Sequence, residues 1–109
     1  MSKNMLKGNL TGLGNSQGTP YTPLTEASGR TGRFNISVQP DPSVGFVGTY
    51  EIQKSIDGGF SWGPVTLNGQ PIQYTVGLNE AFFESQSDVQ YAIEVTQYTS
   101  GALYYVFNQ

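Results

Sequence analysis

The sequence contains no cysteine and no histidine. That excludes a disulfide framework, thiolate or imidazole metal sites, zinc-hydrolase chemistry and nucleophilic centres built on a histidine base. No cofactor is expected. Charge is scarce as well: Asp, Glu, Lys and Arg supply 12% of the 109 residues, against roughly 25% in ordinary globular domains. Polarity comes instead from Gly, Ser, Thr, Asn and Gln, alongside seven tyrosines and six phenylalanines. A neutral, tyrosine-rich surface suits lasting contact with other protein. No apolar run reaches the roughly 20 residues of a membrane helix. The opening residues MSKNMLKGNLTGLG lack the apolar centre of a secretory signal. The expectation is a soluble chain made in the cytoplasm, without a membrane partner. A net charge of −3 and only five basic residues argue against nucleic acid as a partner. No Gly-rich loop leads into a lysine or a helix, and no EF-hand loop is present, so neither phosphate cradling nor calcium binding has support.

The few charges are unevenly placed. Residues 1–33 carry Lys3, Lys7, Arg30 and Arg33 against Glu26, a net of +3, whereas the rest carries Lys54 against seven acids, a net of −6. A basic leading segment on an acidic body is a polarity that orients docking.

What is present is a run of strand and turn signals. Phe34, Ile36 and Val38 alternate with Asn35, Ser37 and Gln39, the period of a half-buried strand. Pro40-Asp41-Pro42-Ser43 reads as a turn. Gly45 and Gly48 mark a bulge or a close approach. Gly48 to Trp62 reads as a central hairpin turning at Asp57-Gly58-Gly59, with Phe60 and Trp62 opening the return strand and Trp62 anchoring the core. Asn68-Gly69 is a second hairpin signal. Glu80 to Glu84 fits a short strand or a single helical turn. Val89, Tyr91, Ile93 and Val95 form a clear apolar stripe, Thr99-Ser100-Gly101 a turn, and ALYYVF (102–107) a strand apolar on both faces. Turn signals every 8 to 12 residues are the spacing of a sandwich or barrel. The length fits one domain. The expected fold is all-β: a single antiparallel β-sandwich of seven or eight strands, jelly-roll-like or Ig-like, with no helix beyond one turn.

Residues 1–28 read differently. They hold four glycines and two prolines, few large apolar residues and no sustained period, too little to order themselves alone. They are expected to form an extended arm, with residues 29–109 as the sandwich. The expectation is that another chain holds the arm, through Lys3, Lys7, Leu10, Tyr21, Leu24, Arg30 and Arg33. The alternative is an arm lying on its own sheet. Of the tyrosines near the end of the sequence, Tyr91 and Tyr104 fit the core, and Tyr98 and Tyr105, with Phe107, are candidates for contact with a second copy. Glu51, Glu80, Glu84 and Glu94 are expected in solvent, so no carboxylate pair for glycoside hydrolysis is inferred, and no catalytic residue is expected.

Ser55, Asp57, Gly59 and Trp62 fit S-x-D-x-G-x-x-W, which resembles the Asp-box turn of sialidase-type β-propellers. Side chains of Asp and Ser bind turn backbone there, glycine supplies positive φ, and the tryptophan packs beneath. One copy cannot build a propeller, and the turn is read as structural.

Three pieces carry a wider resemblance: ASGRTGRFNISV (27–38), GTYEIQKSIDGGFSW (48–62) and VQYAIEVTQYTSGALYYVFNQ (89–109). Together they resemble small β proteins encoded among the head genes of tailed bacteriophages, in an F-x-x-S-V run, a G-T-x-x-x-Q-x-S-x-D-G-G-x-x-W hairpin and a Y-x-S-G-x-x-x-Y-x-x-x-Q ending. The chain departs from that pattern at Lys54 and Ala92, where arginine is frequent. The resemblance implies a capsid decoration, or cement, protein: a dimer or trimer on the virion's outer surface, stapling neighbouring major capsid subunits without chemistry. The alternatives are another virion component (head fibre, neck or tail) and a carbohydrate-binding β-sandwich.

Overall fold

The computed structural model describes residues 5–12, 17–24 and 32–109. They form ten strands and, among them, no helix: β1 (Met5–Leu10), β2 (Arg33–Pro40), β3 (Phe46–Ser55), β4 (Gly63–Pro64), β5 (Thr66–Leu67), β6 (Gln70–Pro71), β7 (Gln73–Tyr74), β8 (Leu78–Phe83), β9 (Gln90–Gly101) and β10 (Leu103–Asn108). Six are long, and the four two-residue ladders lift the count above seven or eight. One sheet has the order β1-β10-β2-β8. In the other, β3 pairs along one edge with β9 and along its opposite edge with β4 and β7. All pairings are antiparallel, and the two sheets enclose one core that includes Phe34, Ile36, Val38, Leu103 and Phe107 from the first and Tyr50, Ile52, Tyr91, Ile93 and Val95 from the second.

A bent ribbon explains how the sheets face each other. β2 pairs with β10, and β3 with β9, in one continuous antiparallel run. Between them the chain changes sheets at a double corner, residues 41–45 on one strand and Gly101-Ala102 on the other. Asp41 makes the first bend: its Oδ1 accepts the Ser43 and Val44 amides at 2.7 and 3.2 Å, an Asx turn helped by Pro42. Cross-strand bonds lock the corners together: Ala102 N donates to Gly45 O (2.7 Å) and Asp41 N donates to Ala102 O (2.9 Å). Gly101 sits at φ 88°, where only glycine is comfortable. A Cβ there would lie 2.0 Å from the Gly45 carbonyl oxygen. The expected turn at Thr99-Ser100-Gly101 is thus a sheet-to-sheet crossing at its last residue. The ladder between β3 and β9 slips at Val47/Gly48, the bulge that Gly48 signals.

Asn68 and Gly69 both take positive φ (53° and 81°) in the two-residue turn between β5 and β6, the conformation a type I′ hairpin requires. Residues 80–83 are strand, part of β8.

The leading segment is where expectation and structure part. β1 pairs along its whole length with β10, from Met5↔Asn108 to Leu10↔Leu103. The chain then crosses to the other sheet and closes the free edge of β9, with Gly18 N donating to Ile93 O (2.8 Å) and Tyr21 and Tyr91 exchanging both backbone bonds (2.7 and 2.8 Å). Gln109 clamps it further: its Oε1 accepts from Leu24 N (2.8 Å) and from the Tyr21 hydroxyl (3.1 Å). The described residues of the arm, 5–12 and 17–24, therefore pack on the same two sheets as residues 32–109. The physical reason lies in its glycines. A Cβ on Gly8 or Gly18 would fall 2.4 or 2.7 Å from the Tyr105 side chain, and one on Gly12 would fall 2.1 Å from the Tyr98 ring. These are places where backbone lies against a tyrosine, and backbone pairing supplies the order that side chains alone could not.

Candidate functional site

The turn after β3 is the most completely built surface feature. Ser55, fully buried at the strand's end, donates its hydroxyl to Asp57 Oδ1 (2.8 Å) and accepts from Gly59 N (2.8 Å). Asp57 accepts from Ser61 twice, the amide at 2.9 Å and the hydroxyl at 2.6 Å. Those Ser61 bonds, with the Ser55 bond, hold the Asp57 carboxyl down at about 2. The Trp62 indole N–H donates to Gly59 O (3.2 Å). All four residues of the S-x-D-x-G-x-x-W pattern thus act within one turn. Trp62 is not the core anchor: it is half-buried on a cleft of about 370 Å³ with Lys54, Ile56, Ser61, Gly63 and Pro64. Phe60 does not open the return strand. It stands in the turn, 91% exposed, and Ile56, at the start of the same turn, is 74% exposed.

The other expected contact residues divide. Leu10 and Tyr21 are buried in the core, Tyr21 stacked on Phe107 at 4.9 Å and 8°, so neither is free for a partner. Lys7 and Arg33 are exposed and Leu24 is half-buried. Lys3 and Arg30 lie outside the described residues. Two of the three residues expected at a self-contact, Tyr105 and Phe107, face the interior instead. Tyr98 is half-buried, tilted against Phe46 and donating its hydroxyl to Gly101 O (2.9 Å). Tyr105 shares the parity of Leu103 and Phe107, and its hydroxyl accepts from Thr19 N (2.9 Å). It is Tyr104 and Val106 that face outward. Because both parities of ALYYVF are apolar, alternation alone does not choose between them.

Two carboxylates expected in solvent are buried. Glu84 accepts from the Tyr91 hydroxyl (2.8 Å) and Gln86 N (3.0 Å) and pairs with Lys54 at 3.1 Å. Burial pushes its pKa up, but those bonds and Lys54 outweigh it and hold the carboxyl below its usual value. Burial and the same carboxylate push the Tyr91 hydroxyl up. Glu51, also buried, accepts from Gln53 (2.8 Å) and lies directly across the ladder from Glu94. Partial burial, then Glu51, raise the Glu94 pKa.

Facing carboxylates on adjacent strands repel. Glu94 titrates higher folded than unfolded, so its contribution to stability is present below the unfolded value and lost as pH rises through the folded one. Glu94→Gln should therefore stabilise the domain at neutral pH by about 0.2–1 kcal/mol. The advantage should vanish in mild acid. Thermal melts of both proteins across pH check this; an unchanged or lower midpoint at pH 7 counts against the repulsion.

The outer face of the first sheet carries a second feature. Ser37, Val38, Gln39, Gly77, Leu78, Asn79, Tyr104 and Val106 line a cleft of about 520 Å³. Among the described residues no group of three or more His, Cys, Asp or Glu is placed to hold a metal ion. No family model, curated protein or solved structure matches this chain.

Proposed function

We propose that this chain is a structural component of a tailed-phage particle, bound to the outer surface of the capsid and tying neighbouring major capsid subunits together. The observation that carries the reading is a pair of exposed apolar tips at the two ends of β3. Val44 and Val47, 66% and 57% exposed, flank its start, and Ile56 and Phe60 follow its end. Ten extended residues separate the ends, about 30 Å at roughly 3.3 Å per residue. A bridge needs two contact points on a body that does not yield between them, and β3 is paired along both edges. Single exposed apolar residues are ordinary. An almost fully exposed phenylalanine on a turn fixed by its own Ser and Asp side chains is a different matter, because little loop freedom is left to lose on binding. Large aromatic anchors are the residues that dominate contact energy. The sequence resemblance supplies the capsid as the partner. The described residues of the leading segment pack on this chain's own sheets and do not reach for a neighbour.

The test is co-sedimentation with expanded capsids that lack the protein, together with the temperature at which those capsids rupture. Wild type should bind and raise it. Phe60→Ser and Val44→Ser, each at one tip, should fold normally but lose most of the stabilisation. Wild type that fails to sediment with the shells, or a double variant that stabilises them fully, would rule the reading out.

A further inference from the structure

We infer that the cleft on the outer face of the first sheet is a binding site for a neutral oligosaccharide, independently of the stapling role. The cleft, about 520 Å³, falls within the roughly 300–1,000 Å³ of small-molecule sites. None of its lining residues is charged; Lys7 lies beyond it, across from Val106 on the neighbouring strand. An anionic ligand would find no counter-charge inside, and a cationic one would find no carboxylate.

The cleft instead offers aimed, uncharged hydrogen-bonding groups. Asn79 is held by two neighbours on β2: Asn35 Nδ2 donates to its Oδ1 at 2.9 Å and the Ser37 hydroxyl donates to the same atom at 3.1 Å. That orients the Asn79 amide with its Nδ2 hydrogens unpartnered among the described residues. The Gln39 amide and the Tyr104 hydroxyl likewise have no partner there. These groups come from three adjacent strands, β8, β2 and β10, so they are spaced by a fixed hydrogen-bonded sheet and not by loops. Tyr104 and Val106 add apolar surface between them. A pyranose presents the complement: neutral hydroxyls that both donate and accept around its rim, and C–H faces that lie on an aromatic ring.

The experiment is an amide-resolved NMR titration of the intact chain with maltohexaose, cellohexaose and chitotriose at millimolar concentration, alongside a sialylated oligosaccharide. Saturable shifts centred on Ser37, Gln39, Asn79 and Tyr104 with a neutral sugar are expected. Gln39→Ala, which breaks no bond within the protein, and Asn79→Ala should each weaken binding about tenfold, the equivalent of one lost hydrogen bond. Their melting temperatures should stay within a few degrees of wild type. Shifts centred elsewhere, binding only to the sialylated sugar, no saturable shift with any of the four, or full affinity in Gln39→Ala would each overturn the assignment. Since none of these outcomes involves capsids, the site stands or falls separately from the stapling proposal.

Discussion

Deleting residues 1–24 is expected to unfold this protein. The deletion removes the buried Leu10 and Tyr21 side chains, each worth about 1.5–3 kcal/mol of burial. It also strips one of its two partners from every residue of β10, leaving only β2, and reopens the edge of β9. Tyr105 and Phe107 would lose the backbone and ring they pack against. Whole domains are stable by only about 5–15 kcal/mol, so these losses, with the backbone bonds that go with them, are of the same order as the whole stability. The truncated chain should lack near-ultraviolet circular dichroism and a cooperative melt, and should aggregate through the bared β10 edge. A monomeric truncation with a sharp melting transition would mean that the sandwich is complete without this segment and would restore the picture of a free arm.

Gly101→Ala should be nearly as damaging. The new Cβ would meet the Gly45 carbonyl oxygen at 2.0 Å and the Phe46 Cα at 2.8 Å. Both are backbone atoms in the locked corner, so relief requires the corner to open and both sheets to shift. The φ of 88° adds its own strain for a residue with a Cβ. We expect a loss above about 4 kcal/mol, the range reserved for broken special sites. Gly45→Ala is the matched control. It too has a positive φ, 69°, but a Cβ there meets nothing within 4 Å, so only the backbone penalty of about 1–2 kcal/mol applies. Denaturant melts of the pair separate steric collision from backbone strain. Equal losses in the two variants would show that the corner yields easily.

How much of this was legible in the sequence follows from what each signal depends on. β2, β3 and β9 were readable because one face of each is apolar, and period-2 alternation reports that directly. The Asn68-Gly69 hairpin and the Ser55–Trp62 turn were readable because their side chains act on backbone a few residues away. The leading segment was not, since its order comes from backbone bonds to strands 70 to 103 residues later and from glycines whose use depends on Tyr98 and Tyr105. The parity of β10 was hidden by apolar residues on both faces, which exchanged the roles of Tyr104 and Tyr105. The burial of Glu84 depends on Lys54, Tyr91 and the Gln86 amide, brought in from different parts of the chain. The exposed tip at Phe60 was misread for the opposite reason: a large aromatic past a turn ordinarily packs inward. The outer cleft needs Ser37, Asn79 and Tyr104 side by side, and nothing in alternation says that β8 and β10 flank β2.

The pairing of β1 with β10 also sets when the protein can fold. Gln109 holds Leu24 and Tyr21 across 85 and 88 positions of sequence, and β10 is the central neighbour of both β1 and β2. During synthesis, β1 and β2 therefore wait without their shared partner until residues 103–108 have left the ribosome, exposing strand edges throughout. Such long-range closure places the chain among slow folders, and residues 5–10 find their place only after residues 103–108 exist.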